Sequence, residues 1–314
     1  MLRSDRLNVF GFLGGREVQQ RSSRSTSGNF GIEDQRLAMT WTREHIAAFG
    51  GNPEDVTIFG ESAGGNSVIN HLAQEASFGL YTKAVVESGA YNLGARNMSA
   101  AQAGFVGLLG SATCSDLDCL LAADATAIES AGGAGTGGWG PVVDGVSLKA
   151  APIELIHAKQ YNNKVPVIIG SNRDEEAFFT VLEKVPPQLS EVAMNAMLAR
   201  KTSAANIATL KKLYDPAGGY PYPSDLGSYS KWYWMYMRIG TDTVPGLGPC
   251  AVRWLDRMLL AGGTPTVYSY LYAHPDQEQF VPGTGPGGVF VPHASEIVAV
   301  FNTPNLRNPE EGHL

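Results

Sequence analysis

The chain has 314 residues, of which 44% are hydrophobic and 17% are charged, and its formal net charge is -7. These values are typical of a globular protein and exclude an intrinsically disordered one. The acidic balance argues against nucleic acid or an anionic membrane surface as the main partner, and the length suits one large α/β domain or two small ones.

The first predicted elements are a strand, a loop and a helix. Residues 7–13 form a continuous apolar run, which predicts a buried strand. Residues 14–28 are rich in Ser and Arg, and we interpret them as a solvated connection. Residues 29–49 predict a helix with one apolar stripe facing a sheet. The predicted stripe consists of Leu37, Trp41, Ile46 and Phe49.

A strand, a glycine-rich corner and a second helix come next. Residues 56–59 predict the strand, and the corner at residues 60–64 reads Gly-x-Ser-x-Gly. A strained corner of this kind lifts the hydroxyl of Ser62 above the edge of the sheet. We expect glycine to be required at Gly60 and Gly64, because the helix backs closely against the strand and leaves little room for a Cβ. The start of the helix also directs N–H groups and its positive dipole end toward an oxyanion.

The rest of the chain adds further strands and two groups of helices. Residues 83–88, 165–170 and 266–272 predict strands, and residues 181–213 and 224–260 predict helices. The succession of strand, helix and strand around the glycine-rich corner predicts a right-handed parallel unit. An aromatic group in the second set of helices favours core packing or the lining of a lid over a binding site. Its members are Tyr229, Trp232, Tyr233, Trp234 and Tyr236.

The serine of the corner needs a histidine to act as a nucleophile. A hydroxyl becomes strongly nucleophilic when an imidazole takes its proton, and the imidazole needs an acceptor on its other nitrogen. In one common chain order an acid and then a histidine follow the serine. His274, His293 and His313 follow the acidic residues after the strand at 165–170. His293 is the preferred base, because His274 ends a strand and His313 lies at the end of the chain.

Four carboxylates are candidates for the acid. Asp174, Glu175 and Glu176 share the loop after a buried strand, and Asp144 lies in a turn after a weaker strand. A surface carboxylate is most often only solvated, so at least two of the three neighbours are expected to have no catalytic role. Composition leaves the choice open.

Several blocks of the chain resemble the type-B carboxylesterase/cholinesterase-like family of α/β-hydrolases. The resemblance implies an α/β-hydrolase fold with a mostly parallel central sheet flanked by helices, in one domain over residues 1–314. It implies a serine carboxylic-ester hydrolase that acts on small-molecule or lipid esters without a cofactor. The blocks that carry it are NxGxxDQ (Asn29, Gly31, Asp34, Gln35), AAFGGNP, TIFGESAGG, PVVDG, GSNRDEEAFF and PHASEI.

The resemblance also assigns residues to a site. It makes Ser62 the nucleophile, Glu175 the acid and His293 the base. The family triplet is Asp-Glu-Gly, and Glu176 stands here in place of its glycine, which puts a second carboxylate beside the acid. The groups that the resemblance places in support of the triad are the backbone N–H of Ala63 at the oxyanion and the side chains of Glu61 and Ser88.

The three cysteines are ambiguous by spacing alone. Cys114 and Cys119 suit either a small disulfide loop or two free thiols, and Cys250 stands alone. The resemblance implies a disulfide between Cys114 and Cys119, and it implies a partner for Cys250 beyond residue 314.

The resemblance predicts that the chain is a fragment of a longer esterase. Family members carry about a hundred residues before the point that matches Arg6, including early strands and a His-Gly-Gly loop with further oxyanion N–H groups. We therefore expect a fold that is incomplete at both ends. The first residues lack the regions of a signal peptide, whereas the family resemblance implies the secretory pathway.

Two further expectations concern specificity and the alternative function. Residues 134–139 resemble the acyl-pocket region of the family, and Gly135, Gly137 and Gly138 imply room for long or bulky acids. No metal-ligand spacing or nucleotide-binding loop stands out. The alternative is a non-catalytic cholinesterase-like adhesion or precursor domain, which keeps the fold and generally loses a triad residue; here all three positions are occupied.

Overall fold

A computed structural model describes residues 5–91, 93–133, 138–223, 226–274 and 290–302. Its strands are β1 (Thr57–Glu61), β2 (Lys83–Glu87), β3 (Arg96–Asn97), β4 (Val142–Val143), β5 (Val167–Asn172) and β6 (Val267–Tyr272). Four of them form one sheet in the order β1-β2-β5-β6, and β3 pairs with β4 in parallel, with Arg96 opposite Val142. The strands predicted at residues 56–59, 83–88, 165–170 and 266–272 are confirmed within a few residues at each end.

Helices occupy most of the described chain between these strands. Those in the first part are α1 (Asn8–Phe12), α2 (Arg16–Arg21), α3 (Phe30–His45), α4 (Ala63–Ala73), α5 (Met98–Ser111), α6 (Leu117–Ala122), α7 (Ala125–Gly132) and α8 (Pro152–His157). Those in the second part are α9 (Glu176–Leu182), α10 (Glu191–Ala199), α11 (Ala204–Leu213), α12 (Lys231–Thr241), α13 (Pro249–Gly262) and α14 (Ile297–Val300). None of the helices in the described ranges has the length and apolar character needed to cross a membrane.

The chain divides into two compact units. The first comprises Met1–Val86, Asn92–Ile168 and Arg257–Val267, and the second comprises Glu87–Tyr91, Ile169–Asp256 and Tyr268–Leu314. Each unit has its own apolar cluster. The cluster of the first unit lies among α1, α2, α5, α6 and α7, and its buried members are Val9, Val18, Phe105, Leu108, Leu120 and Ile128.

The strand predicted at residues 7–13 is wrong. The segment forms helix α1, which packs against α3 and α7. Val9 is buried in the cluster of the first unit, and a Cβ on Gly11 would lie 2.2 Å from the backbone oxygen of Arg6. A short continuous apolar run fits a buried strand or a buried helix equally well by periodicity. The packing partners on α3 and α7 decided between them.

The connection predicted at residues 14–28 is only partly solvated. It contains α2, and its end is a packed seam in which Ser27 is fully buried. Ser27 Oγ donates to the backbone oxygen of Gly15 and accepts from its N–H, both at 3.0 Å, and the Ser27 N–H donates to Asp144 Oδ2 at 3.1 Å. Small hydroxyl side chains therefore serve here as internal hydrogen-bonding groups.

Helix α3 is present as predicted, but its predicted buried stripe is wrong. Leu37, Trp41 and Phe49 are exposed and Ile46 is half-buried. The buried face is Ile32, Gln35 and Met39, at helical spacing of three and then four residues. Its polar member is paired inside the protein, since Gln35 Oε1 lies 2.9 Å from Nε2 of His71. A polar residue in the middle of the buried face concealed the true stripe from an argument based on hydrophobicity.

The aromatic group packs in the core of the second unit, which confirms one of the two interpretations of the sequence. Tyr233 and Trp234 on α12, and Tyr229 just before it, are buried together with Phe290. The ring of Phe290 lies 4.7 Å from that of Trp234 and 4.9 Å from that of Tyr229, between centroids. Aromatic pairs at these distances contribute beyond their buried area. The chain that leads to His293 is thus anchored in the core of the second unit.

Candidate active site

The Gly-x-Ser-x-Gly corner has the strained backbone that its sequence predicts. Ser62 lies between β1 and α4, with φ 58° and ψ -117°, a conformation that residues with a Cβ rarely adopt. Such strain costs about 1–3 kcal/mol and persists where the surroundings over-determine the backbone. The side chain is half-buried, and the backbone oxygen of Ser62 accepts from the N–H of Asn66 at 2.9 Å, in the first turn of α4.

The two glycines of the corner differ in what they allow. A Cβ on Gly60 would lie 2.5 Å from the backbone carbon of Gly64, which is too close for any side chain. Apart from its chain neighbours and the backbone of its own helix, a Cβ on Gly64 would meet no described atom within 4 Å. The expected need for glycine therefore holds at Gly60 and is wrong at Gly64. The backbone of Gly64 makes the close approach to Gly60, whereas a Cβ on Gly64 would point away from Gly60.

Glu175 and His293 form a buried pair in the second unit. Nδ1 of His293 lies 2.6 Å from Oε2 of Glu175, and the two side chains are 5% and 1% exposed. Glu175 directly precedes α9, where the chain leaves β5. Its other oxygen, Oε1, accepts from Ser88 Oγ at 2.5 Å and from the backbone N–H of Asn172 at 2.6 Å. These contacts engage both oxygens of the Glu175 carboxyl group and fix its orientation.

The other three candidate acids have different partners. Asp174 accepts from the backbone N–H of Val291 and from Arg238, each at 2.9 Å. Asp144 holds its own turn together by accepting from the N–H groups that follow it, including that of Leu148 at 3.0 Å. Burial raises the pKa of Glu176 to about 7, and its nearest ion-pair partner, the Lys201 ammonium, is 3.7 Å away. None of these three has a hydrogen bond to His293 among the bonds of the described residues.

The predicted site residues fall in both units. Ser62, Ala63 and Glu61 belong to the first, and Ser88, Glu175 and His293 belong to the second. Ala63 is the first residue of α4. Among the other histidine candidates, His274 is exposed, and His313 lies outside the described residues.

A second pair of buried carboxyl groups was missed by the sequence reasoning. Glu87 immediately precedes Ser88, and Glu296 follows His293 by three residues. Both are buried; burial, and secondarily the charge of Glu296, raises the pKa of Glu87 to about 7. Burial also raises the pKa of Glu296, although the hydrogen bond from Asn172 opposes this. The sequence signals were that Glu87 precedes Ser88 and that Glu296 shares the PHASEI block with His293.

The cysteines and the acyl-pocket segment have separate outcomes. Cys114 and Cys119 form a disulfide, with Cα atoms 5.5 Å apart, and Cys250 is a free, exposed thiol. Residues 134–137, which include Gly135 and Gly137, lie outside the described residues. The roomy acyl side therefore stays a prediction.

The first unit also contains an apolar cavity of about 670 Å³. It is lined by apolar side chains of α1 and of α5 to α7 and by side chains from residues 13–33, with arginines at its polar side. Those arginines are engaged in ion pairs, as in Arg24 with Glu33 and Arg21 with Asp118. Ser62 is absent from its lining, so the cavity is not assigned to the chemistry of the corner.

Comparison with known proteins places these features in one family. The sequence profile of the carboxylesterase family matches residues 5–312. Carboxylesterase 1C of Rattus norvegicus is 30% identical over 312 residues, which are 96% of this chain and 54% of the relative. Para-nitrobenzyl esterase of Bacillus subtilis (strain 168) is 36% identical over 215 residues, which are 65% of this chain and 43% of the relative.

A solved structure supports the same grouping. The carboxylesterase EST55 of Geobacillus stearothermophilus superposes with a TM-score of 0.75 and 30% identity, covering 99% of this chain and 60% of that chain. This similarity confirms the predicted α/β-hydrolase fold. The chain spans about half the length of the two curated relatives above, 54% and 43%.

Proposed function

The chain belongs to the carboxylesterase family, and on that premise we propose that it hydrolyses carboxylic esters through an acyl-enzyme formed on Ser62. In this proposal His293 is the general base and Glu175 orients it. The observation that carries the proposal is the 2.6 Å contact between Glu175 and Nδ1 of His293, two residues 118 positions apart in the chain. Because Nδ1 faces the carboxylate, Nε2 is the nitrogen that takes the proton of the serine.

The reaction proceeds in two balanced halves. Ser62 Oγ attacks the ester carbonyl while its proton passes to Nε2 of His293, and the oxyanion is stabilised by N–H groups at the start of α4, including that of Ala63. The intermediate then collapses, and the leaving alkoxide takes the proton from His293. Water attacks the acyl-enzyme by the same route, so the acid is released and the hydroxyl of Ser62 is restored. No step requires a metal or a cofactor.

The substrate is proposed as a small-molecule or lipid ester. The disulfide between Cys114 and Cys119 supports a secreted or secretory-pathway protein, because disulfides persist in oxidising compartments. A non-catalytic domain of the same fold is the competing proposal, and it predicts no turnover at all.

The test uses the full-length gene product, a fluorophosphonate probe and p-nitrophenyl esters. We expect the probe to label Ser62, as read by peptide mass spectrometry, and Ser62→Ala to lower kcat by at least about 10³-fold. Ser67→Ala is the matched control: this serine lies on α4, its Oγ donates to the backbone oxygen of Ala63, and the variant should keep both labelling and turnover. Label on another residue, or full turnover by Ser62→Ala, would refute the proposal. A folded wild-type protein with neither activity would favour the non-catalytic domain.

A further inference from the structure

The segment that carries His293 is tied to the end of β5 on both sides of the imidazole. On one side Asp174 meets Val291, two residues before the histidine. On the other side Asn172 meets Glu296, three residues after it. Along the histidine segment, the contact between Glu175 and His293 lies between these two. We refer to the Asn172–Glu296 contact as the clasp.

The side before His293 is held by two backbone-directed bonds. The N–H of Asp174 donates to the oxygen of Val291, and the N–H of Val291 donates to Asp174 Oδ2, both at 2.9 Å. Asp174 is itself fixed by the guanidinium of Arg238 at 2.9 Å, and it is only 2% exposed. Phe290 adds its aromatic contacts in the core. This side is therefore secured independently of the clasp.

The side after His293 has a strained backbone and a side-chain anchor at Glu296. Ala294 has φ 71°, in the left-handed region that a residue with a Cβ adopts at a cost. Asn172 Nδ2 donates to Glu296 Oε2 at 2.6 Å, with both residues nearly inaccessible to solvent. A hydrogen bond to a carboxylate at this distance is charge-assisted and directional. It fixes the chain just beyond the strained residue.

Burial makes the clasp depend on both of its partners. Asn172 is fully buried and Glu296 is 2% exposed, so removal of either side chain takes this bond from a buried polar group. A buried polar group left without its bond costs about 1–3 kcal/mol. The contact therefore favours one geometry of the chain beside the Glu175–His293 pair.

We propose that Asn172 and Glu296 are positioning residues that hold the imidazole of His293 in the orientation needed for proton transfer from Ser62. The inference rests on the proposed function and adds two residues to it. The contact between Glu175 and His293 fixes one atom of the ring, whereas the clasp and the Asp174–Val291 bonds fix the backbone on both sides. Misplacement of a reacting group by about 1 Å costs on the order of 10²-fold in rate.

The test compares variants that break the clasp with one that keeps it. Glu296→Met removes the acceptor at similar length, and Asn172→Leu removes the donor while keeping the backbone N–H that Glu175 accepts. Glu296→Gln retains an oxygen acceptor for Asn172 and is the conservative control. In the full-length protein we expect the first two to lower kcat at least about tenfold with KM within about twofold, and the Gln variant to stay within about threefold of wild type. The double variant should be no slower than either single one, because both remove the same contact.

Other outcomes would overturn the proposal. It fails if the Met and Leu variants keep wild-type kcat, if they change KM alone, or if Glu296→Gln is as slow as Glu296→Met. Thermal unfolding identifies a variant that does not fold. If Glu296→Met or Asn172→Leu fails to fold, the kcat of the other one tests the proposal. The downfield proton NMR signal of the Glu175–His293 hydrogen bond supplies a readout that does not depend on turnover. This signal should broaden or shift in Glu296→Met and Asn172→Leu only. Because the signal does not require turnover, it tests the clasp even if Ser62 proves not to be the nucleophile.

Discussion

The serine corner and the Glu175–His293 pair are held in place by different physical means. Ser62 owes its conformation to its immediate neighbours: a strand, a glycine that cannot carry a Cβ, and a helix that begins at the next residue. The pair joins residues 118 positions apart through hydrogen bonds between buried side chains. The corner is a local backbone feature, whereas the pair exists only when distant segments have folded together. Substitutions should therefore damage them in different ways.

The largest expected effect breaks the pair. Glu175→Gln replaces an acceptor with an amide, whose N–H₂ group cannot accept from Nδ1 of His293, so the imidazole loses the partner that sets its tautomer. We expect kcat to fall about 10²–10⁴-fold in ester hydrolysis assays, with little loss of folding. The matched control is Glu176→Gln, the next carboxyl in the chain, which should keep wild-type kcat. Equal losses in both variants would contradict the assignment of Glu175.

The next effect breaks the corner. In Gly60→Ala the new Cβ would lie 2.5 Å from the backbone carbon of Gly64, so β1 and α4 must move apart. Overpacking of this kind costs about 1–3 kcal/mol, and the displaced Ser62 should lose at least about tenfold in kcat. Chemical denaturation and ester turnover measure the two effects.

The control for this prediction lies in the same corner. Gly64→Ala adds a methyl group where no described atom lies within 4 Å, and alanine is the better helix former. It should be neutral or slightly stabilising. Equal damage from the two substitutions would show that helix flexibility, and not the close approach at Gly60, is what the corner needs.

The smallest expected effect is a pH dependence of stability that comes from Glu87, a buried carboxyl group with no proposed catalytic role. The pKa of Glu87 is raised from 4.5 to about 7 by burial and by Glu296. The folded protein therefore keeps this proton while the unfolded chain releases it, so the free energy of unfolding falls as the pH rises from about 4.5 to about 7, and this contribution is then constant. Glu87→Gln lacks this dependence. Its stability relative to wild type should rise by about 1–3 kcal/mol between about pH 4.5 and about pH 8.

Urea unfolding at both pH values measures this difference. Glu176 also has a pKa raised to about 7 by burial, so Glu176→Gln is a second variant with the same expected sign. A stability difference between Glu87→Gln and wild type that does not change with pH would show that Glu87 is ionised in the folded protein throughout this range.

Prediction of local structure from sequence succeeded at the corner, where the feature is contiguous. The strand, the corner and helix α4 occupy one uninterrupted stretch. The spacing of the glycines alone indicated a tight turn there, and the close approach of the backbones makes glycine necessary at position 60. The same local reasoning misjudged Gly64, because the direction of a Cβ depends on how the helix leaves the strand. It also misjudged residues 7–13, where periodicity does not separate a short strand from a short helix.

The acid could not be chosen from the residues themselves. Asp174, Glu175 and Glu176 are adjacent, and no local property ranks them; the family resemblance selected Glu175. In the fold the three diverge, since one anchors Val291, one contacts His293 and one is buried near Lys201. Asn172 and Glu296 lie in the blocks GSNRDEEAFF and PHASEI that carry the family resemblance, but no local property indicated that their side chains meet.

By itself, the sequence determined the α/β class, the order of the four sheet strands along the chain and the serine corner, since these follow from patterns within a few consecutive residues. Only the tertiary structure decided which partners Asp174 and Glu176 take, which face of α3 is buried and how the histidine segment is held. Those outcomes depend on hydrogen bonds and packing between residues far apart in the chain, and such contacts leave no trace in local composition or periodicity.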